Sequence, residues 1–234
     1  MRAPTRHRDR PGSNPAAFAY AGRRAAADRP NPAERYLVAA LQHGRQPNDG
    51  PSAGRRRRRL PVDAAEPRAV PPSALDVTDA LIRRYFPAVR HLQVAELQQL
   101  LGAGSATQLI LLDAREPAEY AVSRIPGAAN VSPSAHADPD AVRALLPAEG
   151  ASDTVVVFYC SIGFRSSQLA SALMTHRPEW IGSVYNLEGS IFRWANAGYA
   201  LVSGPEEAAV AAQVVHPYSN LFGRMLEANL RCGL

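Results

Sequence analysis

Thr154-Val-Val-Val-Phe-Tyr-Cys-Ser-Ile-Gly-Phe-Arg-Ser166 decides the architecture. Thr154 to Tyr159 is a short apolar run, β-branched and aromatic, with no polar alternation. Such a run predicts a strand buried on both faces, as in a parallel sheet. Cys160 follows it directly, and Arg165 to His176 reads as a helix with Leu169, Ala172 and Leu173 facing inward. A strand therefore passes into a helix within a few residues, with a thiol at its carboxyl end. In parallel α/β sheets ligands sit beyond the carboxyl ends of the strands, so Cys160 stands where a site is expected. Gly163 permits the backbone angles of a tight curl. Successive N–H groups would then turn inward round the sulfur, and the helix would add its positive end. A thiolate held by such donors has a lowered pKa and a raised reactivity. The alternative is a buried structural cysteine, which α/β cores also contain.

The same alternation extends on either side. Gln108-Leu-Ile-Leu-Leu-Asp113 predicts another buried strand, Glu116–Val122 a short helix, Ala128–Val131 a short strand after the turn at Pro126-Gly127, and Asp138–Leu146 a helix. Val184–Leu187 predicts a further strand and Ser190–Ala197 a helix closed by Gly198. Upstream, Thr78 is placed to cap a helix carrying Ala80, Leu81 and Tyr85 and ended by Pro87. Val94–Leu101 is a second helical pattern with Leu97, Leu100 and Leu101 on one side, stopped by Gly102 and Gly104. Strands alternating with helices predict an α/β domain with a parallel sheet over residues 73–204. Residues 205–234 predict a helical C-terminal extension, because Leu221, Phe222, Met225, Leu226 and Leu230 fall on one face. That helix would dock on the domain or meet a protein partner.

Charge divides the chain. All 26 basic Lys/Arg residues are Arg. Residues 1–72 hold 15 Arg against six acids, a net +9, whereas residues 73–234 hold 11 Arg against 15 acids, a net −4. The first segment is rich in Pro, Gly, Arg and Ala and is expected to be disordered, since it cannot bury enough apolar surface to offset its ordering entropy. Its run Arg55–Arg59 reads either as a contact for phosphates or an anionic surface, or as a solvated charge run. The acidic balance of the rest gives no reason to expect a nucleic-acid partner. Two cysteines far apart, Cys160 and Cys232, make neither a disulfide framework nor a zinc site, so no metal is expected. A reducing, cytoplasmic compartment fits them. No apolar run reaches the roughly 20 residues of a membrane span. The N-terminus is Arg-rich, as transit peptides are, but is poor in Ser and broken by Pro11, Pro15, Pro30 and Pro32, and it lacks the apolar core of a secretion signal.

Four motifs, in order, resemble the single-domain rhodanese family between about Leu92 and Val202. They are Leu112-Asp-Ala-Arg-Glu-Pro-Ala-Glu-Tyr120, Ser123-Arg-Ile-Pro-Gly-Ala-Ala-Asn130, Tyr159-Cys-Ser-Ile-Gly-Phe-Arg-Ser166, and Leu187-Glu-Gly-Ser-Ile-Phe-Arg-Trp194 with Ala197-Gly-Tyr-Ala-Leu-Val202. The resemblance implies a five-stranded parallel sheet flanked by helices. It implies a sulfurtransferase that moves sulfur from a small donor such as thiosulfate to cyanide or a thiol, with no metal or organic cofactor. Carried over by position, Cys160 is the nucleophile that holds sulfur as a persulfide, and Ser161, Ile162, Gly163, Phe164, Arg165 and Ser166 form the loop that cradles it. Asp113 and Arg115 match an internal ion pair that supports the fold, the alternative being direct contact with substrate. Ser123 and Arg124 stand where the family usually has Gly-His, and Ser190 where it often has a second Gly. The tail Val215–Met225 resembles an extension of some bacterial rhodanese-like proteins, and His216 in it reads as a surface or packing residue.

Two other functions remain open on the sequence. Related dual-specificity phosphatases place five residues between Cys and Arg, whereas four lie between Cys160 and Arg165. The shorter loop makes a narrower nest, and no acid in it could protonate a leaving alkoxide. The third reading is a rhodanese-like module that binds partners or senses redox state without turnover. In that reading Cys232 could resolve a Cys160 persulfide, against the plainer reading of an inert tail thiol.

Overall fold

Val156, Phe158 and Cys160 point to one side of the central strand and Val157 and Tyr159 to the other, and all five are buried. Each Val or Phe covered in this way stabilises the sheet by roughly 1.5–3 kcal/mol relative to exposure. A computed structural model describes residues 72–102, 108–146 and 154–233. Along the chain run α1 (Ala74–Tyr85), β1 (Arg90–Leu92), α2 (Val94–Gly102), β2 (Gln108–Asp113), α3 (Pro117–Val122), β3 (Ala129–Asn130), α4 (Pro139–Arg143), β4 (Thr154–Tyr159), α5 (Phe164–His176), β5 (Val184–Leu187), α6 (Ser190–Asn196), β6 (Leu201–Ser203) and β7 (Val210–Ala212).

Five strands form a parallel sheet in the order β1-β5-β4-β2-β3, with helices on both faces, as expected of an α/β fold. One core lies between the sheet and the α2 and α6 side, where Leu97, Ile191, Phe192 and Trp194 pack on Leu111, Val157 and Leu187. The other lies under α5, where Leu169, Ala170 and Leu173 cover Leu112, Val156 and Phe158. Ala170 is thus the fully buried alanine of α5, and Ala172 is only partly buried. Asp113 pairs with Tyr159 in register. That alignment brings the chain leaving β2 and the chain leaving β4 to the same edge of the sheet.

Boundaries differ from the sequence expectation where capping decides them. Helix α1 begins at Ala74 because Ser73 caps it: the Ser73 hydroxyl accepts from the Asp76 N–H, and the Asp76 carboxylate accepts from the Ser73 N–H. This is a reciprocal capping box. Thr78, expected as the cap, lies within the helix and donates to the Ala74 carbonyl. Asp138 caps α4 through the N–H groups of Asp140 and Ala141, but the regular helix ends at Arg143 rather than Leu146.

The C-terminal segment is corrected. Among the described residues from 205 onward there is no α-helix. The chain forms β7, antiparallel to β6, and single 3-10 turns at Glu206–Ala208, Phe222–Met225 and Ala228–Leu230. Tyr218 has φ 62°, which interrupts any helix entering from Pro217, and a Cβ on Gly223 would lie 2.7 Å from the Pro217 Cβ. The apolar side chains are used individually: Val215, Phe222 and Leu226 enter the core on the α2 and α6 face. The described residues thus offer no C-terminal α-helix of the kind expected to dock or to meet a protein partner. The disordered segment expected over residues 1–72 falls, apart from Pro72, outside the described residues. No helix among the described residues is long and apolar enough to cross a membrane.

Candidate active site

Cys160 leaves β4 at the sheet edge and is buried, with 1% of its surface exposed. Its own N–H donates to the Ser190 hydroxyl oxygen at 3.2 Å, and its carbonyl accepts from the Ile191 N–H. The loop then curls back. Gly163 takes φ 106°, a value that only glycine adopts without strain, and its N–H donates to Cys160 Sγ at 3.2 Å. Helix α5 starts at the next residue, so its N-terminal turn faces the sulfur. Ser167 Oγ donates back to the Gly163 carbonyl at 2.7 Å and pins the turn.

Burial pushes the Cys160 thiol up. The Arg165 guanidinium, the Ser166 hydroxyl and the N–H groups of Ser166 and Gly163 together outweigh that and hold it below the ordinary cysteine value. The result is a buried thiol that is more acidic than an ordinary cysteine. The Ser166 hydroxyl also lies 2.6 Å from Asn186 Oδ1 on β5, which ties the loop to the neighbouring strand.

Arg165 is the only cation of the loop and it is engaged. Its Nη1 and Nη2 donate to the Glu119 carboxylate at 2.6 and 2.9 Å, and Nη2 also donates to Ser161 Oγ at 2.9 Å. Ser161 in turn donates to Glu119 Oε1 at 3.0 Å. Burial pushes the Glu119 carboxyl up, but the hydrogen bonds and charge of Arg165 outweigh it and keep the group below its ordinary value. Glu119 is therefore a carboxylate and not a proton donor. The Tyr218 ring covers the other side of Arg165, with 4.7 Å between guanidinium carbon and ring centre.

Asp113 and Arg115 are fully buried and paired with each other, the closest contact being 2.6 Å. Arg115 also donates to the carbonyls of Glu119 (3.4 Å) and Ser123 (2.6 Å), which satisfies the carboxyl end of α3. This pair thus fixes the helix that carries Glu119. Neither residue lines the cleft at Cys160. That cleft is bounded by Cys160, Ser161, Ile162, Phe164, Arg165, Tyr218 and Phe222 and has a volume of about 20 Å³.

The structure therefore brings Cys160, Ser161, Ile162, Phe164 and Arg165 to one cleft, with Gly163 and Ser166 donating from the loop behind. Glu119, Ser190, Tyr218 and Phe222 also belong to this neighbourhood and were not among the site residues expected from the sequence, where Ser190 stood only as a departure from the family pattern and Phe222 only as part of an apolar face. Glu119 sits in the Asp113–Tyr120 motif, but its partner is 46 residues away. Ser190 has φ 49°, so it occupies a left-handed position where glycine is at ease. His216 accepts from the Tyr218 N–H at 3.0 Å and does not line the cleft. Cys232 is also outside it, and burial pushes its thiol up. Among the described residues no group of His, Cys, Asp and Glu could hold a metal ion.

A family model for the rhodanese-like domain matches residues 93–197. The chain carries a rhodanese-like domain. Solved structures similar to it include a thiosulfate sulfurtransferase from Pseudomonas aeruginosa, at 25% identity and TM-score 0.43, covering 57% of this chain and 23% of that one. A yeast protein tyrosine phosphatase of the rhodanese family is 22% identical with TM-score 0.40, covering 46% and 84%. A protein of unknown function from Rhodopseudomonas palustris, described as a possible tyrosine phosphatase, is 20% identical with TM-score 0.38, covering 58% and 98%. No curated protein matches the chain. The rhodanese-like match ends before Tyr218 and Phe222, so these two cleft walls are additions from beyond the matched domain.

Proposed function

We propose that this rhodanese-like domain is a sulfurtransferase that carries sulfane sulfur as a Cys160 persulfide. The observation that carries the reading is a buried thiol of lowered pKa, with a glycine N–H on its sulfur, at a cleft with room for little more than one water-sized atom. In the first step the Cys160 thiolate attacks the outer sulfur of thiosulfate. The Sγ–S bond forms, the S–S bond of thiosulfate breaks, and its electron pair leaves with sulfite. In the second step cyanide or a thiolate attacks the outer sulfur of the persulfide and the Cys160 thiolate departs. This is covalent catalysis by double displacement. Gly163 and the first turn of α5 would hold the charge of thiolate and persulfide alike, so neither step needs the loop to reorganise. Ser161, Ile162, Phe164 and Arg165 would shape the cradle, and Asp113 with Arg115 would support it from behind.

Phosphoryl transfer is the less suitable chemistry for these groups. A tetrahedral phosphoryl group needs more room than this cleft offers, Arg165 is already bound by Glu119, and Glu119 is held ionised rather than ready to protonate a leaving group.

The test is intact mass and peptide mapping after incubation with thiosulfate. The expected result is a gain of one sulfur on Cys160, removed by cyanide and absent from Cys160→Ala. A folded protein with an alkylatable Cys160 and no gain would overturn the thiosulfate step.

A further inference from the structure

We infer that Tyr218, with Phe222 behind it, is the specificity-determining wall of the Cys160 cleft, restricting sulfur donors to those whose carrier group is slender at the sulfane sulfur. The inference rests on the sulfur-transfer reading and adds to it which donors enter. Both residues line the cleft and both come from the C-terminal segment, beyond the matched domain.

The segment is held in place, not draped. Val215 makes two backbone bonds to the last described residues: its N–H donates to the Leu230 carbonyl and its carbonyl accepts from the Cys232 N–H. Asn196 of α6 donates to the Met225 carbonyl at 2.8 Å and accepts from the Glu227 N–H at 3.1 Å. Phe222 and Leu226 are in the core. Tyr218 stands between these anchors with φ 62°, a conformation that a tyrosine keeps only where its surroundings impose it. Its N–H is taken by His216, its ring meets Phe222 at 5.6 Å between centres, and its face covers Arg165.

The wall has two consequences at Sγ. The cleft it bounds, which Cys160 also lines, has a volume of about 20 Å³, enough for one sulfur atom or a water and not for an aromatic ring. It also shields the one cation of the loop, so selection at the mouth falls to shape. Donors with a bulky group next to the sulfane sulfur are thereby excluded.

Methanethiosulfonate and benzenethiosulfonate test this, since both are monoanions that deliver the same outer sulfur and release a sulfinate. In each case the Cys160 thiolate bonds to the sulfane sulfur while the S–S bond breaks with its electron pair to the sulfinate. The wild-type protein is expected to prefer the methyl donor, and Tyr218→Gly, which also relieves the positive φ, to lose that preference by roughly tenfold or more. Tyr218→Phe keeps the ring and should keep the preference. Phe222→Ala is a second variant should Tyr218→Gly fold poorly. Alkylation of Cys160 by iodoacetamide and by N-phenylmaleimide, resolved from Cys232 by peptide mapping, measures the same wall without turnover. If neither donor loads the wild type, the sulfur-transfer reading falls and the alkylation ratio alone decides whether the wall discriminates. An unchanged ratio in folded Tyr218→Gly and Phe222→Ala would overturn the inference.

Discussion

Glu119→Gln separates charge from shape beside the thiol. The native carboxylate accepts two hydrogen bonds from Arg165, at 2.6 and 2.9 Å, and one from Ser161 at 3.0 Å. Only 5% of the Glu119 side chain and 14% of the Arg165 side chain are exposed. Glutamine keeps the volume and one acceptor, but its NH2 group cannot accept, so a guanidinium N–H loses its partner and the Arg165 charge loses its counter-charge. Removing one member of a buried pair costs about 3–5 kcal/mol. Partial access of Arg165 to water and the remaining face contact with Tyr218 favour the lower end, about 3 kcal/mol. In a protein of this size each kcal/mol is worth roughly 2–4 °C, so the melting temperature should fall by roughly 6–12 °C. The thiol should respond in the opposite sense. Arg165 is the strongest of the groups that lower the Cys160 pKa against the upward push of burial, and an unneutralised Arg165 stabilises the thiolate further. The expected protein is thus less stable and carries a more acidic thiol. Thermal unfolding gives the first quantity, and the pH dependence of Cys160 alkylation, mapped to its peptide, gives the second. A folded variant with an unchanged or raised thiol pKa would refute the account of how Arg165 acts on the sulfur. A stability loss below about 1 kcal/mol would mean that the pair behaves as an exposed one.

Ser190→Ala should cost about 1–3 kcal/mol by urea unfolding, because it leaves the buried Cys160 N–H without its acceptor and keeps a side chain at φ 49°. Ser190→Gly loses the same bond but relieves the backbone, and should cost measurably less. Gly163→Ala puts a Cβ 3.2 Å from Asn186 Nδ2 and 3.3 Å from Ile82 Cδ1 at φ 106°. The loop must shift and loosen the N–H on Cys160 Sγ, so the alkylation midpoint should move to higher pH. Asp79 accepts from the Gly189 N–H and from Arg193, and burial pushes its carboxyl from 3.8 up to about 6 even against Arg193. A carboxyl whose folded pKa is raised binds its proton more tightly in the folded state, so its contribution to stability falls as pH rises from about 4 to about 6. Asp79→Asn should flatten the pH dependence of the urea midpoint in that window.

The sheet was readable because its strands are continuous apolar runs. Gln108–Asp113 and Thr154–Tyr159 are flanked by turn and helix signals and cannot alternate faces with water, so a parallel arrangement buried on both sides is what remains. The Cys160 loop was readable for a related reason: strand, thiol, glycine and helix follow one another between Thr154 and Ser166, and the N–H on Sγ is a local consequence of the curl. Glu119 was not readable in this way. Its place beside Arg165 depends on the register that sets Asp113 against Tyr159 and on the Asp113–Arg115 pair that orients α3. Spacing within one segment carries no record of such a register.

The C-terminal segment misled the periodicity argument for a physical reason. Phe222, Leu226 and Leu230 recur every four residues and so imitate one helical face. In the protein each ends up on the same side because consecutive 3-10 turns and a bridge between Val215 and Arg231 return the chain to the domain repeatedly. The contradicting signals were present. Pro217 precedes a residue held at positive φ, and Gly223 is needed for the close approach of Pro217. A helix would have offered Tyr218 and Phe222 to the same face along one rod. The broken path instead turns the Tyr218 ring onto Arg165 while Phe222 stays anchored in the core. The irregularity that defeats the helical reading is therefore what places an aromatic wall against the thiol loop.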